Sequence, residues 1–237
     1  MTTGHNFDIR QMLELAWDKT KEHLLFLVLF FVGSAAVMAI AMFIPFVNII
    51  VPFFLGVVVV KISLMIIADE KPTINDIKIN LKKYKVVWRF FLSTLLYMVL
   101  PILTGVFFFT TIFLALTRIP TPLTFLALPF FFLTLILIPV TAYALIRLQF
   151  YKFLIIEHED MKIIDAFKKS IDMTHGHFWK IFAFMIILVA MNALGKSALG
   201  FGLVLTVPIS LLANAMLYKK LAPAEKKVAK KEEKKAE

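Results

Sequence analysis

The sequence predicts an all-α integral membrane protein: six transmembrane helices arranged as three parallel repeats, each an interfacial amphipathic helix followed by a transmembrane hairpin. Three observations predict it. Of the 237 residues, 60% are hydrophobic and 25 are Phe, at a mean hydropathy of +0.86, more than a soluble domain of this size hides in one core. The apolar residues fall in long uncharged runs, with no Asp or Glu between Ile77 and Ile156. Segments of similar pattern also recur along the chain.

A bilayer-crossing helix needs about 20 mostly apolar residues. Leu24 to Ile44 meets that length, and Pro45 and Asn48 then mark a tight turn. The 23 residues before this run carry Asp8, Glu14, Asp18 and Glu22, and the run is too long for a signal-peptide core, so the first helix is expected to be retained. The second span runs from Ile49 to Ala68, the third from Phe90 to Leu116. Thr121-Pro122 reads as a helix cap followed by proline in the first turn. The fourth span, Leu123 to Leu145, is expected to continue as helix towards Ile156. Phe178 to Leu194 and Leu199 to Leu217 make the fifth and sixth.

Lysine and arginine orient the bundle. Only Arg118 and Lys196 fall in the loops on one side, and Lys61 lies inside a span, which leaves 23 basic residues for the other side. Both termini are therefore expected in the cytoplasm, with the chain in the cell membrane. Residues 1–221 form one membrane domain. The tail, 222–237, is Lys, Glu and Ala of low complexity and is expected to be disordered or partly helical. The pI near 9.7 follows from this bias and indicates no specific nucleic acid.

A shift of 154 residues brings Ile9 onto Ile163, Leu13 onto Phe167, Asp18 onto Asp172, Thr20 onto Thr174 and His23 onto His177. A weaker middle copy aligns Ile74, Ile77 and Leu81 with Ile164, Phe167 and Ile171. The repeats would cover 7–72, 73–160 and 161–221. Each second span carries a proline (Pro52, Pro139, Pro208) and a basic residue downstream (Lys61, Arg147, Lys219). The lead segments show helical apolar stripes: Ile9, Met12, Leu13, Ala16 and Trp17; Ile74, Ile77, Leu81, Tyr84 and Trp88; Ile164, Phe167 and Ile171. Thr73 with Asp76 reads as a capping box. Such helices lie in the headgroup region with their basic faces outward.

Candidate functional residues are few. Lys61, in "VVVVKISLMII", is an expensive charge within a span; it either contacts a solute or snorkels towards Asp69. Arg147 ends the fourth span. Trp17, Trp88 and Trp179 stand at the inner elbows, where an amphipathic ring favours the headgroup level. These five are the expected lipid or solute contacts. Backbone carbonyls freed by the span prolines are expected to meet hydroxyls such as Thr141, Thr206 and Ser210. "THGHFW" resembles a metal site at first sight, but only His158 is another nearby imidazole, and zinc or copper needs three or four converging ligands. His175-Gly176-His177 therefore reads as a hinge into the fifth span. Cysteine is absent, and no nucleophile elbow, phosphate loop or zinc-protease motif occurs. No catalytic, cofactor or metal residue is assigned.

The stretch "RLQFYKFLIIE" followed by "DAFKKSIDMTHGHFWKIF" resembles a group of prokaryotic six-span proteins related to the membrane domain attached to some glycerophosphoryl diester phosphodiesterases. The matching residues are Arg147, Ala166, Ser170, Gly176 and Trp179, and "LLANAMLYKKL", with Tyr218, is similar to the end of that group's last span. The resemblance implies membrane localisation and a fold, without the phosphodiesterase barrel. The expected function is non-enzymatic: a lipid-associated accessory or scaffold engaging anionic headgroups, or an unidentified membrane or soluble partner protein, at the cytoplasmic face. The alternative is a pore or carrier for a small hydrophobic or anionic solute lined by the even-numbered helices. The absence of Asp and Glu from every span disfavours an ion-coupled carrier.

Overall fold

The computed structural model describes residues 7–73, 84–116, 125, 127–197 and 202–222. Among them the secondary structure is helical: α1 (Ile9–Glu22), α2 (Leu24–Ala41), α3 (Val47–Ile67), α4 (Tyr84–Leu116), α5 (Ala127–Leu148), α6 (Tyr151–Glu157), α7 (Ile163–Thr174), α8 (Phe178–Ser197) and α9 (Leu203–Leu221). Six segments are long and apolar enough to cross a membrane: α2, α3, α4, α5 with α6, α8 and α9. Their outward faces are apolar. Leu25, Phe43, Phe109, Phe113, Ile136 and Val189 are each more than half exposed, a girdle that a water-soluble chain would not leave uncovered. This is a multi-pass membrane protein.

The first and fifth spans begin at the expected residues, Leu24 and Phe178, while the others begin at Val47, Tyr84, Ala127 and Leu203, a few residues from expectation; all end within a few residues of their sequence bounds. Asp76 of the Thr73–Asp76 capping box, the middle apolar stripe before Tyr84, Thr121-Pro122 and the basic tail beyond Ala222 lie outside the described residues. Two boundaries carry non-glycine residues in left-handed backbone. Phe46, at φ 66°, turns the chain from α2 into α3. Asp69, at φ 61°, closes α3: the Glu70 N–H reaches Met65 O (3.0 Å) and the Asp69 N–H reaches Ile66 O (3.2 Å), the paired bonds of a Schellman cap.

The chain forms two compact units. The first, Met1–Tyr84 with Asp172–Glu237, contains α1, α2, α3, α8 and α9. Its core is α9, which packs against all four others and buries Leu212, Ala213, Ala215, Leu217 and Tyr218 almost completely. α1 lies against α9 and buries Met12, Ala16 and Thr20. Its Lys19 reaches across to Asp69 after α3 (2.6 Å) while also pairing with Glu22. That hydrogen bond holds the Asp69 carboxyl below the usual carboxylate range and pushes the Lys19 ammonium up.

α8 and α9 approach until backbones touch. A β-carbon on Gly202 would lie 2.7 Å from both Cα and O of Gly195, and one on Gly195 would lie 2.4 Å from Thr206 Oγ1. A turn further along, Asn192 Nδ2 donates to Ser210 Oγ (2.8 Å) and to Leu188 O (3.0 Å). Small residues that admit the backbone, plus a polar cross-link, join membrane helices for which lipid and protein are equally apolar.

The second unit, Lys85–Ile171, holds the middle hairpin with α6 and most of α7. Hydroxyls join its helices. Thr104 and Thr141 Oγ1 lie 2.6 Å apart, Tyr97 Oη donates to Leu145 O (3.2 Å), and Tyr151 Oη donates to Thr94 Oγ1 (3.0 Å). The helical continuation after Leu145 is present, with a break at Gln149-Phe150 that the sequence does not announce. Ser170 of α7 bridges the break, donating to Arg147 O (2.8 Å) and accepting the Phe150 N–H (3.2 Å). α6 then buries Tyr151 and Phe153–Ile156.

Candidate functional site

Each expected contact residue has a definite place, and the five are divided between the units. Trp17, Trp179 and Lys61 belong to the first, Trp88 and Arg147 to the second. All three tryptophans are exposed: Trp17 midway along α1, Trp88 in the first turns of α4, Trp179 in the first turn of α8. Each has company suited to an interface. Lys21 Nζ lies 5.6 Å from the Trp17 ring centre, Phe91 stacks on Trp88, and Phe178 and Phe182 meet Trp179 edge-on.

Arg147 is tied into the protein. Its Nε donates to Tyr143 Oη (3.1 Å), its guanidinium stands 5.4 Å from that ring, and a terminal nitrogen donates to Ile171 O (3.2 Å). It clamps the last turn of α5 to the end of α7, a role that the sequence-based expectation of a lipid contact did not contain. Arg89 does similar work, donating to Glu159 O.

Lys61 is half-buried on α3 among the buried Val57, Val58, Val60 and Ile62–Ile66. Among the described residues nothing forms a hydrogen bond or ion pair with it. The nearer end of α3 lies six residues on, about 9 Å along the axis. That end is C-terminal, whereas a helical Cα–Cβ bond tilts towards the N-terminus, so the side chain must double back to reach it. A lysine that falls short of the interface weakens its span. We expect Lys61→Met to insert normally and to raise the melting temperature in nanodiscs by several degrees. A lower melting temperature would reveal a partner for the ammonium.

The histidine pair stands at a turn. Gly176 adopts φ 78°, in open space, between α7 and α8. His175 is exposed; His177 is partly covered, its Nδ1 3.1 Å from His175 O and its ring 6.4 Å from that of Phe7. Among the described residues, no group of three or more metal-liganding side chains converges. The hydroxyls expected to meet proline-freed carbonyls go elsewhere. Thr141 pairs with Thr104, Ser210 donates to Thr206 O (2.8 Å), and Thr206 Oγ1 is buried without a partner. Within the first unit, α2, α3 and α9 enclose a cavity of about 10 Å³ lined by Leu27, Phe30, Ile62, Ser63, Pro208 and Leu212 among others, the lower limit for one water. Its only hydroxyl, on Ser63, is spent on Val59 O.

Sequence reasoning missed Gln149, Thr104 and Asn192. Gln149 could have been singled out as the one uncharged amide among the apolar and basic residues of "RLQFYKFLII". Comparison with protein-family models, curated proteins and solved structures finds no match for this chain.

Proposed function

We propose that this chain is a non-enzymatic, lipid-associated accessory or scaffold of the cell membrane, both termini cytoplasmic, which engages anionic headgroups or a partner protein at that face. The observation that carries the reading is the exposure of Trp17, Trp88 and Trp179 where spans begin, with Lys21, Lys85 and Lys180 close by in sequence. An exposed indole beside lysine suits the boundary between acyl chains and anionic headgroups. The apolar lining of the cavity between α2, α3 and α9 speaks against an anionic solute at that place.

Three parallel repeats belong to the same proposal. From position 9 to 23 the succession of buried and exposed residues recurs from 163 to 177, with Leu15 and Lys19 as the exceptions. Met12, Ala16 and Thr20 are buried, as are Ala166, Ser170 and Thr174. α1 packs on the sixth span, and Ser170 of α7 holds the end of the fourth. The first and third lead helices thus each cap the second span of another repeat. Their large apolar residues (Trp17, Ile164, Ile171) remain exposed, available to lipid.

Mass spectrometry of what co-elutes with the chain from gentle detergent or nanodiscs tests the function. We expect anionic lipid enriched above its bulk fraction, and lost on replacing the three tryptophans with alanine. A bulk-like lipid profile without a companion protein would defeat the proposal.

A further inference from the structure

Among the described residues, the buried side-chain atoms without a hydrogen-bond partner are Asn192 Oδ1, Thr206 Oγ1 and both polar atoms of Gln149. Asn192 still donates twice through its nitrogen. Gln149 is the outlier: its residue is 6% exposed, yet neither Nε2 nor Oε1 is engaged. Exchanging the two atoms by an amide flip changes nothing, because both are unpartnered. The turns on either side present buried Ile146 and Phe153, so leucine or methionine would fill the place without desolvating an amide. The backbone at this break is already served by Ser170; the carboxamide is not needed for it.

We propose that Gln149 binds a hydroxyl group, donating from Nε2 to its oxygen and accepting its proton at Oε1. The chemistry follows from the amide, which presents a donor and an acceptor side by side. A phosphate supplies only acceptors and an ammonium only donors, whereas a hydroxyl satisfies both. Two sources carry that group: an ordered water, or the polyol of a lipid headgroup such as phosphatidylglycerol. Gln149 stands just past the end of α5, inside the apolar segment that runs on to Glu157, so either source has to enter the packing at the α5–α6 break.

The test compares melting temperatures of the full chain and of Gln149→Leu in nanodiscs of phosphatidylcholine, phosphatidylserine and phosphatidylglycerol. Phosphatidylserine supplies the negative charge without the polyol. A drop of about 3 °C or more in every lipid identifies water, and a drop confined to phosphatidylglycerol identifies the headgroup. An unchanged or raised melting temperature in all three overturns the site, because an idle buried amide is better replaced by leucine. If the variant does not accumulate, a density map of the wild-type chain that resolves ordered waters decides. Density within hydrogen-bond distance of both amide atoms supports the site, and an apolar surround overturns it. The inference does not rest on the scaffold reading: bulk-like co-purified lipid would end that reading and leave the Gln149 measurement standing.

Discussion

Gly202→Ala is expected to open the α8–α9 hairpin and lower stability by about 3 kcal/mol or more, the upper range for overpacking. Gly202 is in right-handed helical backbone (φ −61°), so its role is close approach and not conformational freedom. The added carbon would meet Gly195 Cα and O at 2.7 Å, backbone atoms that cannot rotate aside. Because α9 is the helix against which α1, α2, α3 and α8 pack, the damage spreads through the first unit. Gly195→Ala is a milder lesion, since its closest clashes are with the Thr206 side chain, Oγ1 at 2.4 Å and Cγ2 at 3.0 Å. Adding Thr206→Ala should therefore recover much of the loss in Gly195→Ala and none in Gly202→Ala. Thermal unfolding in nanodiscs, followed by tryptophan fluorescence, reads all four variants. A Gly202→Ala protein melting within 1 °C of wild type, on the usual scale of about 2–4 °C per kcal/mol, would mean that the helices do not touch there.

Ser170→Ala should cost about 2–4 kcal/mol, because it strands two backbone groups at once. The hydroxyl is fully buried and joins Arg147 O to the Phe150 N–H across the break between α5 and α6. The loss should be local: amides from Phe150 to Glu157 should exchange faster with deuterium while those of α9 keep their protection. Uniform exchange throughout the chain, or none, would contradict the bridging role. Ala16, at the matching place in α1, has no hydroxyl to lose, and its partner α9 runs unbroken to Leu221. The hydroxyl is required where the span breaks.

That break shows where sequence reading stops. "RLQFYKF" contains no glycine or proline, and nothing in local propensity interrupts a helix between Leu148 and Tyr151. The interruption is tolerated because Ser170, far along the chain, supplies the hydrogen bonds the backbone gives up. The candidate site divides in the same way. The tryptophans could be singled out because an indole near the end of an apolar run has a preferred depth whatever its neighbours; the structure adds that all three are exposed. Arg147 was legible as a charge, but its engagement with Tyr143 and Ile171 O required the folded hairpin. Gln149 was passed over because an amide announces its significance only when burial leaves it unpaired.

The six crossings are a property the sequence determines by itself. Whether about 20 residues prefer the bilayer is a local question of transfer from water, decided before any helix meets another. The tertiary structure alone decides which face of each helix turns inward. In the stripe Ile164, Phe167 and Ile171 the isoleucines stay exposed, while the protein takes Ala166, Ser170 and Thr174. The reason is that lipid is as apolar as leucine. Hydrophobicity therefore selects the membrane but not the partner, and contact goes to the small and hydroxyl-bearing residues that let backbones approach and hydrogen-bond.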